Sequence, residues 1–177
     1  MSSRADSKQQ YMSADEVAKL VTGPKQDNPE YLIIDVRSSD FEGGNLPGAV
    51  NITTGEFRDE GKLSRVIDRY IRPNPNLRTL IVHCMRSQTR GPYAAHLLAQ
   101  HPDLPKDIKV VILEGGFQGW YHKFKGRKEM FEGLLEDEAG VVGRGEGRGE
   151  WQQRVQAQEG ESGEAEDSRQ LRQEQGR

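Results

Sequence analysis

Short apolar runs alternate with amphipathic stretches through about the first 130 residues of the chain. YLIIDV (31–36), AVNI (49–52), TLIVH (79–83) and KVVIL (109–113) are rich in β-branched residues and lack polar alternation. That is the pattern of strands buried on both faces. Between them lie helical signals. Ser13 followed by Glu16 predicts a capping box, opening a helix whose Val17, Leu20 and Val21 share one face until TGPKQDNP ends it. Leu63, Val66, Ile67, Tyr70 and Ile71 recur at helical spacing and stop at PNPN. RGPYAAHLLAQ (90–100) reads as a helix with Pro92 in its first turn, where proline is tolerated, and FQGWYHKF and KEMFEGLL predict the last helices. Helices alternating with fully apolar strands predict an α/β domain with a mostly parallel central sheet covered by helices on both faces.

Composition adds a boundary. From Glu136 onward the chain is rich in Gly, Glu, Gln and Arg and almost free of large apolar residues, so it cannot bury enough surface to offset the entropy of ordering. The expected organisation is a flexible N-terminus at 1–10, one domain at 11–135 and a disordered tail at 136–177. The mean hydropathy of −0.84 over 177 residues agrees with a partly unfolded chain. The tail carries 11 acidic and 6 basic residues, a net of −5, which leaves 17 acidic and 19 basic residues, a net of +2, in residues 1–135. Neither value points to nucleic acid. GRGEGRGE is similar to RNA-binding Arg/Gly segments, yet its glutamates neutralise it and no aromatics interleave, so no nucleic-acid partner is expected. No apolar run approaches the roughly 20 residues of a membrane helix, and the start MSSRADSKQQ has no signal core. A soluble protein of the cytoplasm or nucleus is expected. One cysteine forms no internal disulfide, and four scattered histidines show no metal-ligand spacing, so no metal is expected.

That cysteine, Cys84, sits in HCMRSQTRGP, between the strand TLIVH and the helix at 90–100. Open α/β sheets place ligands at the carboxyl ends of their strands. A loop curling around an anion there turns backbone N–H groups inward, and the following helix adds the positive end of its dipole. Such surroundings lower cysteine pKa values to roughly 3.5–7.5, which predicts a thiolate nucleophile. Arg90 offers a planar fork for two oxygens of a tetrahedral oxyanion. Ser87 and Thr89 are candidate hydroxyl donors to the sulfur or the loop, and Gly91 permits a tight exit into the helix. Met85, Arg86 and Gln88 complete the loop; Arg86 either adds positive potential at the mouth or is simply solvated. Asp35, Arg37 and Glu42 read as a buried or semi-buried charge network tying a strand to its loop.

HCMRSQTRGP resembles the active-site signature of the cell-division-cycle dual-specificity phosphatases of the M-phase inducer type and of the related eukaryotic arsenate reductases, both on the rhodanese fold. LIIDVRSSDFEGGNLPGAVNI resembles the family's first strand and Gly-Gly segment, and VVILEGGFQGW its last strand and Gly-Gly turn. The likeness spans roughly Tyr11 to Phe124, and SQ-x-RGP is similar to the small stand-alone enzymes of fungi and plants. The resemblance implies a rhodanese-like domain in which Cys84 attacks phosphorus, giving a phosphocysteine that water hydrolyses, or attacks arsenate, giving an adduct that an external thiol reduces. It implies a phosphoprotein or an inorganic oxyanion as substrate. It also implies that His83 shapes the loop and does not act as a base.

The chain departs from the family at two places. Met85 stands where the mitotic phosphatases carry Glu, leaving Glu114 and Asp35 as candidate acids, and Asn45 stands where the family commonly has His. With one cysteine the chain supplies no resolving thiol, so arsenate turnover would borrow glutathione or glutaredoxin, and no other cofactor is expected. Rhodanese-type sulfurtransferases usually have a loop one residue shorter; the five residues between Cys84 and Arg90 favour phosphate or arsenate over sulfane sulfur. A sulfurtransferase and a non-catalytic anion-binding module are the alternatives.

Overall fold

The structure, a computed structural model, describes residues 9–24 and 29–134. Five strands form one sheet: β1 (Gln10–Met12), β2 (Tyr31–Asp35), β3 (Val50–Asn51), β4 (Thr79–His83) and β5 (Lys109–Leu113). Their order is β1-β5-β4-β2-β3 and every pairing is parallel. The apolar runs split by side-chain alternation. Ile34, Leu80, Val82 and Ile112 face one side, where they pack with Leu63, Val66, Ile67, Ile71, Ala94 and Leu98. Ile33, Ile81, Val111 and Leu113 face the other, against Val17, Phe117, Trp120 and Phe124. Each such side chain contributes about 1.5–3 kcal/mol on burial, and the need to fill both faces explains why these strands carry no polar alternation.

The first face is covered by α2 (Thr54–Phe57), α3 (Glu60–Val66) and α4 (Arg90–Gln100), the second by α1 (Ala14–Val21) and α5 (Gly116–Phe124). The capping box at α1 forms as expected: the Glu16 amide donates to Ser13 Oγ at 3.3 Å and the Ser13 amide to Glu16 Oε2 at 2.9 Å. Among the described residues no helix is long and apolar enough to cross a membrane.

Four local expectations are corrected. Gln10 belongs to β1, so the flexible segment expected at 1–10 does not extend that far; QYM gave no signal because this short edge strand is largely exposed. Thr54–Phe57 forms an unforeseen helical turn, and the helix at 60–71 changes at Ile67–Ile71 to a π turn. KEMFEGLL forms only a 3₁₀ turn at Lys128–Met130. Gly126, at φ 93°, breaks the chain away from α5, and Glu132 then pairs antiparallel with Asn45. Residues 1–8 and the expected tail at 136–177 lie outside the described residues.

The parallel register sets Asp35 beside His83, and Met12 beside Leu113. The loops that follow β2, β4 and β5 therefore emerge at one edge of the sheet. Trp120 anchors the α5 side: it is fully buried and its Nε1 donates to the Met130 carbonyl at 2.8 Å. Trp120→Ala is expected to cost about 3–5 kcal/mol, whereas Tyr93→Ala, at an exposed position of α4, should stay within about 0.5 kcal/mol. Urea denaturation of both variants checks the contrast.

Candidate active site

Cys84 is the first residue after β4 and is buried, 4% exposed. Residues 84–89 curl from the strand to α4, whose first residue is Arg90. The curl needs a left-handed turn, and Ser87 at φ 52° is the only non-glycine residue with positive φ among the described residues. Two loop carbonyls turn outward: Cys84 O accepts from the Phe117 amide at 2.9 Å and Met85 O from the Gln118 amide at 2.8 Å. These amides belong to the first turn of α5, which Gly115 opens without a side-chain cap, so the loop itself caps the helix. Gly116 makes this approach possible. A Cβ there would stand 2.5 Å from Cys84 O and 2.8 Å from Met85 O, and the residue sits at φ 60°.

Two of the loop's carbonyls are thus taken by α5, and that of Thr89 accepts from the Tyr93 amide of α4 at 3.0 Å. Among the described residues, none of the backbone N–H groups of Met85, Arg86, Ser87, Gln88 and Thr89 donates to a protein acceptor. Thr89 makes no side-chain cap bond to α4, so the first-turn amides of that helix gain nothing from it. A run of unpartnered amides around a thiol at a helix N-terminus is the donor set that a tetrahedral oxyanion requires.

The remaining loop residues have defined places. Ser87 is buried and its Oγ has no hydrogen-bond partner among the described residues. Gly91 is buried against the loop; a Cβ there would meet Cys84 N and Ser87 Oγ at 3.4 Å. Met85 packs on the α5 core, while Gln88 and Thr89 are exposed. Arg86 is exposed and its Nε donates to Gln118 Oε1 at 3.0 Å, which tethers it to α5. His83 is fully buried and its Nδ1 lies 3.2 Å from Cys84 O. A carbonyl only accepts, so Nδ1 carries the proton, and burial lowers the pKa of the ring. The ring is thus neutral and bonded to the loop backbone.

Arg90 is held by a residue that the sequence reading missed. Its NH1 donates to Asp40 Oδ1 at 2.7 Å and its NH2 to Asp40 Oδ2. Hydrogen bonding to Arg90 lowers the Asp40 pKa from 3.8 to about 2, so Asp40 is an anion and not a proton donor at neutral pH. Asp40 lies in an ordinary polar turn, SSDFE, and only the fold brings it across to α4.

The expected charge network is present but differs in membership. Asp35 and Arg37 are both fully buried, with Arg37 Nε 2.8 Å and NH2 2.6 Å from Asp35 Oδ2. Arg37 NH2 also donates to Gly44 O at 2.8 Å and NH1 to Asp40 O at 3.3 Å, and its guanidinium stacks 3.9 Å from the Phe117 ring centre. Glu42, expected in this network, is exposed; Asp40 joins through its carbonyl instead. Asp35 receives Arg37 on both carboxylate oxygens and so serves as its charge partner. Glu114 ends β5 as an exposed side chain whose residue is tied only through its amide, to Met12 O. Asn45, which stands where the family commonly has His, exchanges backbone bonds with Glu132 at 2.9 Å and donates from Nδ2 to Leu46 O. Among the described residues no group of three or more His, Cys, Asp or Glu side chains could hold a metal ion.

Sheet, thiol and amide loop together define a parallel α/β protein with a Cys-x5-Arg loop between strand and helix. The profile of the family described as Rhodanese-like domain matches residues 13–123, and the chain belongs to that family. It is 33% identical over 121 residues to the dual specificity phosphatase ibp1 of Schizosaccharomyces pombe, covering 58% of this chain and 83% of that protein. It is 27% identical over 115 residues to arsenate reductase 2.2 of rice, covering 62% and 80%. Among solved structures, Ygr203w, described as a yeast protein tyrosine phosphatase of the rhodanese family, superposes with a TM-score of 0.62 at 25% identity, over 71% of this chain and 93% of its own. Relatives named for phosphatase and for arsenate reductase activity thus share this domain.

Gly116→Ala forces a methyl group onto the carbonyls of Cys84 and Met85. It is expected to destabilise the fold by about 2–3 kcal/mol. Gly126→Ala, also at positive φ but with open space around it, should cost only about 1 kcal/mol. Paired thermal melts decide whether the loop contact sets the difference.

Proposed function

We propose that the protein is a cysteine-dependent phosphatase whose loop also accepts arsenate, with Cys84 as nucleophile and Arg90 as oxyanion ligand. The observation that carries this reading is the run of acceptor-free amides from Met85 to Thr89 around Cys84. The phosphatase and arsenate reductase names of the relatives support it. In phosphoryl transfer the Cys84 sulfur bonds to phosphorus as the bond to the leaving oxygen breaks. The loop amides and Arg90 take up the charge that grows on the equatorial oxygens, and water then displaces the sulfur and releases phosphate. Asp35 and Asp40 are both paired with arginines, which leaves Glu114, solvent or the substrate itself to supply the proton for the leaving oxygen.

With arsenate, the Cys84 thiolate displaces hydroxide from As(V). A second thiol, glutathione or glutaredoxin, attacks the sulfur of the adduct; the two sulfurs become a disulfide and arsenic leaves as As(III). A third thiol restores Cys84. The single cysteine of the sequence requires that these reductants come from outside the chain. Substrates of this reading are phosphoproteins or inorganic oxyanions.

Steady-state assays with an aryl phosphate, and with arsenate plus glutathione, test it. Cys84→Ser should abolish both activities, and Arg90→Lys should lower kcat/KM about 100-fold or more. Wild type and Cys84→Ser equally inactive on both substrates would contradict catalysis, and faster sulfur transfer from thiosulfate to cyanide would favour a sulfurtransferase.

A further inference from the structure

Arginine carries five N–H donors in a plane, arranged so that two edges can each present a parallel pair. In Arg90 the end-on edge, NH1 with NH2, is fully occupied by the two oxygens of Asp40. The side-on edge, Nε–H with the outer hydrogen of NH2, has no protein acceptor among the described residues. Asp40 is itself fixed. Its Oδ1 accepts from the Ser38 amide at 3.1 Å, and its carbonyl accepts from NH1 of the buried Arg37 at 3.3 Å. The guanidinium is therefore clamped from outside the loop, in a pair that is about one-third exposed.

We propose that Asp40 is a positioning residue for the oxyanion site: it holds the end-on edge of Arg90 so that the side-on edge is the one left for the substrate's oxygens. This inference rests on the reading of the loop as an oxyanion site. It assigns Asp40 two consequences. The first is geometric: without the clamp the long Arg90 side chain rotates, and the bidentate grip on the anion is lost. The second is electrostatic: Asp40 compensates the charge of Arg90, and Cys84 is within electrostatic range of that arginine. Removing the carboxylate exposes the thiolate to the full positive charge. Tight binding and thiolate formation should then move in opposite senses, a signature that a merely structural role would not give.

The test uses the full chain and two variants. Asp40→Asn keeps an oxygen for the Ser38 amide but removes the charge; Asp40→Glu keeps the charge on a longer arm. Alkylation of Cys84 by iodoacetamide is followed against pH, with and without inorganic phosphate. In Asp40→Asn the pH midpoint of alkylation should move down by about half a unit, while the phosphate concentration that half-protects Cys84 should rise about 10-fold. Asp40→Glu should return both to within about 3-fold or a few tenths of a pH unit of wild type, which also excludes misfolding as the cause. Unchanged or tighter protection by phosphate in Asp40→Asn overturns the role of Asp40 and leaves the oxyanion reading standing. Failure of phosphate to protect the wild type overturns both.

Discussion

Two hydrogen bonds, from the Phe117 and Gln118 amides to the carbonyls of Cys84 and Met85, decide what the loop after β4 has left to offer. A peptide loop has as many acceptors as donors. Left to itself it would satisfy both internally or with water. Here the opening turn of α5 takes two of the acceptors, at a contact so close that only glycine fits at position 116. The donors from Met85 to Thr89 are then in excess around one thiol, and a helix N-terminus follows at Arg90. That imbalance is what the proposed anion site rests on, and it arises from packing between two loops at the edge of a parallel sheet.

The buried Asp35–Arg37 pair fixes the other side of the same edge. A buried ion pair adds little net stability over a well-packed apolar pair, so its value here is geometric. Arg37 reaches from β2 to Gly44 and Asp40 and lies against Phe117 of α5. It thereby ties the turn that presents Asp40 to the helix that caps the loop. Asp40 then meets Arg90, and the three loops become one assembly. At this edge Asp35 is paired with Arg37 and Asp40 with Arg90.

Much of this was legible in the sequence because the relevant signals are local. The four apolar runs became β2 to β5, the Ser13–Glu16 box capped α1, and the helix at 90–100 began and ended where Thr89 and His101 flank it. The strand-to-helix placement of Cys84 and Arg90 followed from those elements. What stayed hidden depends on contacts distant in sequence. Asp40 lies 50 residues from Arg90, in a turn whose composition is that of any solvent-facing loop, and Glu42 carried the same signal two positions away. β1 is too short and exposed to show alternation, and it exists because β5 offers it an edge. KEMFEGLL has helical composition but follows Gly126 and is drawn into the Asn45–Glu132 bridge, so tertiary pairing overrode propensity.

Phosphoryl transfer, arsenate reduction and sulfur transfer all start at the same sulfur and differ in the atom that becomes bonded to it. Mass spectrometry of the Cys84 peptide after a rapid acid quench separates them, with aryl phosphate and thiosulfate offered in parallel. The account predicts a phosphoryl group on Cys84 in the first sample and an unmodified thiol in the second. A persulfide from thiosulfate, with no phosphoryl adduct from the aryl phosphate, would contradict it.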